Sequence, residues 1–174
     1  MNLEDRLKAG FTKAYDEYAD AIFRHCYFRL SDRERAKELM QETFIRTWDY
    51  MLKRNERIEN LRAFLYKTAN NLVIDEYRKA RGNQSLETME ENGFQIGNDE
   101  SVTDEVSVKL DSERVLKVIK EVDIKYRQAV IMRYIDDLSP KEMAKITGES
   151  QNNISVRINR GIRQLREILE NEEE

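Results

Sequence analysis

Apolar residues recur along this chain at helical spacing. Phe11, Ala14, Tyr15, Tyr18, Ile22, Cys26 and Leu30 fall mostly three or four positions apart, which predicts a long first helix. The stretch "SDRE" then has the form of a capping box, with Ser31 expected to cap the next helix and Glu34 to reach back to it. That second helix is expected to turn Ala36, Leu39, Met40, Phe44, Trp48, Met51 and Leu52 inward. A third follows "RIEN", burying Leu61, Phe64, Leu65, Thr68, Leu72 and Tyr77, with Gly82 as its stop.

From Gly82 to about Ser112 the pattern fails. The segment is polar, acidic and rich in turn formers, the composition of a linker rather than a packed element. Periodicity returns with Val115, Leu116, Val118, Ile119 and Val122, and again with Tyr126, Ala129, Val130, Met132 and Ile135. No stretch alternates like a strand and no internal period repeats. One proline and six glycines leave most of the chain free to be helical. The expected fold is all-α: an N-terminal helical domain over 1–82, an acidic flexible linker over 83–112, and a C-terminal domain over 113–174.

The C-terminal domain carries a more specific signal. Ser139, Pro140 and Glu142 give a cap, a first-turn proline and an acid placed to bond back to the cap. The short helix "SPKEMAKIT" should place Met143, Ala144 and Ile146 toward a core. Gly148 can take the left-handed backbone of a tight turn, and a last helix should start near Gln151 on a stripe of Ile154, Ile158, Ile162, Leu165 and Leu169. Helix, glycine turn and helix make a helix-turn-helix, whose second helix enters the major groove with its N-terminal residues on base edges. The residues available there are Gln151, Asn152, Asn153, Ser155, Arg157, Asn159 and Arg160, amides and guanidiniums able to form paired hydrogen bonds to bases. Arg163 and Arg166 lie too far along to share the same groove floor and suit phosphate contact or internal pairing.

The net charge, formally −4, runs against this reading at first. The acids are segregated, however. Residues 82–113 hold nine against one lysine, the tail 170–174 holds four more, and the rest of the chain is +8. A basic body with acidic appendages can approach nucleic acid.

Three motifs in order, "AKELMQETFIRTWDYM", "LRAFLYKTANNLVIDEYRKARG" and the helix-turn-helix, resemble bacterial sigma factors of the compact extracytoplasmic-function (ECF) type. The resemblance spans nearly all of Phe11 to Leu169 outside the linker's interior. It implies that the helix bearing "ELMQETF" docks on core RNA polymerase through Glu38, Leu39, Gln41 and Glu42, with Phe44 and Trp48 in the core or at its rim; simple core packing is the favoured reading for both. It also implies that the next motif opens the minus-ten promoter element, with Asn71 near a flipped base and Lys67, Arg78, Lys79 and Arg81 on phosphates. Tyr66 is a candidate for base stacking, Tyr77 belongs to the core by periodicity, and Asp75 suits an ion pair or hydrogen bond within the protein.

For the minus-thirty-five element the resemblance implies contacts by Ser155, Asn159 and Arg160, with Arg133 reaching the backbone from an earlier helix. Here the sequence departs from the family pattern. Ser155 stands where many members have a basic residue, Asn159 where an aromatic or histidine is usual, and Ile162 where arginine is frequent, so promoter preference is not carried over. The acidic linker either threads a polymerase channel as a polyanion mimic or is a solvated spacer, and both readings stand.

The implied partners are core RNA polymerase, promoter DNA and a possible anti-sigma factor. No active site, cofactor or metal is expected. There is no Gly-rich phosphate loop, and His25 and Cys26 sit within an apolar helix with no further ligands, which suits packing. Asp136 and Asp137 read as a solvated connection. A lone cysteine, no apolar leader and no membrane-length apolar run point to the cytoplasm. Two other readings remain open on the residues alone: a stand-alone helix-turn-helix regulator, and a helical interaction adaptor.

Overall fold

The computed structural model describes residues 2–82 and 106–172, with the side chains of 106–112 excepted. The chain divides into two compact units, Met1–Gly97 and Asn98–Glu174.

In the first unit three long helices pack on one another: α1 (Leu3–Leu30), α2 (Arg33–Arg54) and α3 (Leu61–Gly82). Asn2 caps α1 by accepting from the Asp5 amide at 2.8 Å, which starts the helix well before Phe11. The turn into α2 differs from the expected capping box. Ser31 ends α1 in a left-handed conformation, φ 53°, with its amide donating to Tyr27 O. Asp32 then caps α2, accepting from Arg35 N at 2.9 Å. One residue cannot be both the left-handed end of one helix and the extended cap of the next, so the cap moves by one and Glu34 loses its box partner.

Leu7, Ile22 and Leu30 of α1, Leu39 and Met51 of α2, and Leu65 and Val73 of α3 are buried in this core. Each nonpolar side chain removed from water contributes about 1.5–3 kcal/mol before ordering entropy is set against it. Thr43 and Thr47 are buried on α2 without polar loss, because their hydroxyls donate to the carbonyls of Leu39 and Thr43 at 2.7 and 2.8 Å. Phe44 is buried and Trp48 half-buried, both against Phe11 (centroids 6.0 and 5.0 Å), as packing was expected to place them. His25 and Cys26 are likewise buried. Leu52, expected inside, is exposed.

The second unit contains α4 (Val106–Glu121), α5 (Ile124–Val130), a π-helical turn (Ile131–Ile135), α6 (Pro140–Thr147) and α7 (Gln151–Glu172). The start of α4 lies inside the segment expected to be linker. No glycine or proline falls between Gly97 and Pro140, and extending a nucleated helix needs only one hydrogen bond per added residue. The remaining linker acids, and the question of a polymerase channel, lie outside the described residues. Of the residues that mark the periodicity of α4, Val115 is exposed, while Leu116, Val118, Ile119 and Val122 are buried.

The π turn changes the expected helix most. Asp136 N donates to Ile131 O at 3.1 Å and Leu138 N to Met132 O at 3.0 Å, longer rings than the α repeat closes. The wider turn buries Ile131 fully and leaves Ile135 half-covered. It also carries Asp136 inside, 6% exposed, while Asp137 takes φ 53° at the surface. Only one of the two acids is therefore a solvated connection.

The helix-turn-helix signals hold atom by atom. Ser139 accepts from Glu142 N and the Glu142 carboxylate from Ser139 N, with Pro140 at the first position. Gly148 ends α6 at φ 77°, and Ser150 accepts from Asn153 N at the head of α7. Ile154 and Ile158 are buried, Ile162 and Leu165 are half-buried, and Leu169 is exposed.

Gly161, absent from the expected stripe, is where α7 lies close against α5. A Cβ there would collide with Val130 Cγ2 and come within 3.3 Å of Tyr126 O. Val130 is buried and branched, so it cannot swing aside. Gly161→Ala is expected to destabilise the second unit by about 1–3 kcal/mol in urea denaturation. Gly10→Ala, on open helix with nothing within 4 Å, is expected to stabilise by roughly 0.5–1 kcal/mol.

Candidate functional site

Three exposed faces are candidates, two on the first unit and one on the second. The first begins on α2. Glu38, Gln41, Ile45, Asp49 and Leu52 follow one another at three- and four-residue intervals, and all are exposed, with Glu42 half-buried beside them. Leu39 points the other way. At 1% exposure it is core, so its side chain is not available for docking. The sequence reading missed Ile45, which is 60% exposed at the centre of this face. The signal was present: "QETFI" puts Ile45 four residues from Gln41, off the buried stripe.

The acids on this face are held by neighbouring arginines. Arg46 Nε donates to Glu42 at 2.9 Å, and Arg35 pairs with Glu38. Arg35 Nε also reaches across to Glu76 of α3 at 2.9 Å, tying the two helices together. Glu76 first, then Glu38, holds the Arg35 guanidinium above its ordinary pKa. Exposed pairs of this kind are worth about 0–1 kcal/mol, so a cationic partner surface can displace Arg46 from Glu42 at little expense.

On α3 the residues expected at the minus-ten element are all exposed. Lys67, Asn71, Arg78 and Arg81 are exposed along one face, each a whole number of turns from the next within the tolerance of the helix. Lys79 is exposed too, and with Arg78 it borders an open groove between α2 and α3 that Arg46, Glu42, Asp75 and Glu76 also line. Asp75 pairs with Arg78 at 3.6 Å, in line with a role inside the protein. Tyr66 is 3% exposed and packs edge-on against His25, so it cannot stack on a base. Tyr77 is half-buried, its hydroxyl donating to Arg29 O at 2.9 Å. Asn70, next to the exposed Asn71, is buried.

On the second unit α7 buries Ile154, Ile158 and Gly161, which fixes the opposite side as its display face. Asn152, Val156, Asn159, Arg163 and Arg166 lie there, exposed, with Gln151, Asn153 and Arg160 exposed at its borders and Ser155 half-buried. Val156 and Arg163 were not among the base-reading residues expected. Arg157 turns back instead and pairs with Glu149 at 2.8 Å, bracing the turn between α6 and α7. Arg133 projects from the π turn, near Asp137 at 3.6 Å and over the Tyr134 ring at 5.7 Å.

Arg160 leans on α5, donating to Tyr126 Oη at 3.3 Å with its guanidinium 6.0 Å from the ring centroid. That hydrogen bond is the largest cause holding the Tyr126 phenol below the ordinary tyrosine value, with Lys125 adding to it. A depressed phenol contributes stability only above the unfolded tyrosine's pKa and loses it as pH falls through the folded one, so the contact adds nothing through titration at neutral pH. In ring-resolved NMR titration, Tyr126 is expected to ionise at lower pH than an ordinary tyrosine, and Arg160→Ala to move it back up.

Among the described residues no group of three or more His, Cys, Asp or Glu is placed to hold a metal. No helix there is long and apolar enough to cross a membrane.

Comparison with known proteins falls on the same two units. The sigma-70 region 2 model matches residues 14–82 and the sigma-70 region 4 model residues 112–165. The ECF RNA polymerase sigma factor SigW of Bacillus subtilis is 30% identical over 168 residues, covering 92% of this chain and 89% of SigW. BldN of Streptomyces coelicolor is 26% identical across 97% of the chain, which spans 65% of BldN's length. Among solved structures, RpoE from Bartonella quintana, determined with the anti-sigma factor NepR, matches with a TM-score of 0.72 at 22% identity over 92% of this chain and 97% of that one. CnrH, determined with the cytosolic domain of CnrY, matches at 0.67 and 19% identity over 97% and 95%. With both sigma-70 regions present in order, and a relative this similar along almost its whole length, the chain belongs to the ECF-type RNA polymerase sigma factors.

Proposed function

We propose that this chain binds core RNA polymerase through α2, opens the minus-ten element with α3 and reads the minus-thirty-five element with α7. The family is not catalytic, and nucleotide polymerisation belongs to the partner. Membership in it also decides against the stand-alone regulator and the adaptor.

The observation that carries the division of labour is the contrast between displayed faces. The α2 face offers Glu38, Gln41 and Glu42 around Ile45, acids and an amide about an apolar centre, which suits a basic protein surface with a pocket. The α3 face offers Lys67, Asn71, Arg78 and Arg81, cations that track a phosphate chain around an amide that can bond a base. The α7 face offers amides ahead of arginines, the order in which a groove-entering helix meets bases and then backbone. Lys79 is exposed beside Arg78 at the edge of the α2–α3 groove and can add to the same strand contact. Arg157 acts through the turn it braces, and Arg133 supplies a backbone contact from the π turn. An anti-sigma protein is a further partner on the precedent of RpoE with NepR.

The test is transcription in vitro with core polymerase and a random promoter pool, from which this chain should enrich a two-part promoter. Glu42→Lys or Ile45→Ser is expected to reduce co-purification with core polymerase about tenfold or more, consistent with loss of a central contact. The fold should survive, since neither residue is in the core. Unchanged capture by both variants removes α2 from the docking surface. Arg160→Ala is expected to weaken upstream-element binding by roughly 1–3 kcal/mol while leaving polymerase capture intact, as measured by holoenzyme footprinting against the wild type.

A further inference from the structure

Val156 is an apolar residue on a face otherwise built to read polar edges. It is 38% exposed, one turn from Asn152 and Asn153 on one side and from Asn159 and Arg160 on the other, all exposed. Single exposed valines are ordinary on protein surfaces. This one differs in position: it lies in the first two turns of α7, at the centre of the display face, and the next exposed large apolar residue on that helix is Leu169 near its far end. Its orientation is set from behind, since Ile154 and Ile158 are buried and Gly161 seats the helix on α5. A valine in a helix keeps essentially one side-chain rotamer, so its two methyls point in a fixed direction before any ligand arrives.

We propose that Val156 is a specificity-determining residue that contacts the C5-methyl group of a thymine in the upstream promoter element. The thymine methyl is the one apolar feature that a base pair presents in the major groove, and apolar side chains read it by contact. The flanking amides and Arg160 bring the helix to base-edge distance, and the valine then covers the methyl from water. A cytosine, which lacks that methyl, would leave the valine against a polar edge. This inference rests on the placement of α7 in the upstream element, and it adds which base the helix prefers and through which group.

Deoxyuridine separates this contact from every hydrogen bond, because it keeps thymine's donors and acceptors and lacks only the methyl. Holoenzyme containing the wild-type chain is measured on its selected promoter with each upstream-element thymine replaced in turn by deoxyuridine. One replacement is expected to weaken binding about three- to tenfold, the scale of a single buried methyl. With Val156→Ser that replacement should make no difference, and with Val156→Thr, which restores a methyl, most of the sensitivity should return. Absence of any deoxyuridine effect with the wild type, or an effect of the same size with Val156→Ser, overturns the proposal while leaving the sigma-factor reading intact. Failure of the wild-type holoenzyme to select any upstream element removes the placement of α7 and this contact with it.

Discussion

A helix that buries one stripe has no freedom left to choose what it shows. On α2, Leu39, Thr43, Phe44 and Met51 are taken into the core, and that rotation alone puts Glu38, Gln41 and Ile45 outside. On α7, Ile154, Ile158 and Gly161 do the same for Asn152, Val156, Asn159 and Arg163. Burial of a few apolar side chains, each worth about 1.5–3 kcal/mol, thus aims the polar groups. The rigidity matters because amides and guanidiniums discriminate bases only in fixed geometry.

Small devices at the helix ends keep those rotations in place. The reciprocal Ser139–Glu142 cap and the left-handed Gly148 set where α6 starts and stops. Arg157, held by Glu149, closes the turn from the other side. In the first unit Arg35 ties α2 to α3 through Glu76, close to where the acidic face and the cationic face approach each other along their groove. Several polar groups are thereby used for bracing, and the pairs that hold the acids of the α2 face are exposed ones of little strength.

The charge arrangement follows a similar separation. The chain's net negative charge comes from the 82–113 segment and the tail, and what remains is basic. Arg160 on α7 leans on a neighbouring tyrosine, a contact weak enough to exchange for phosphate. An acidic protein can in this way keep a DNA-facing helix without carrying its charge over the whole surface.

Periodicity, caps and charge were enough to determine that the chain is helical, where the helix-turn-helix begins and turns, and which three helices carry the polar motifs. Those are local properties, written within a few residues of each other. What the tertiary structure decided is which member of each motif faces out. Leu39 and Tyr66 went to the core, and Asp136 was drawn inside by a π turn that no propensity signals. Ile45 and Val156 were left in water, and Gly161 proved to be a packing position against Val130. One residue's step turns a helical side chain by about 100°, so neighbours in one motif face different ways. Only the surface each helix packs against fixes which of them the core keeps.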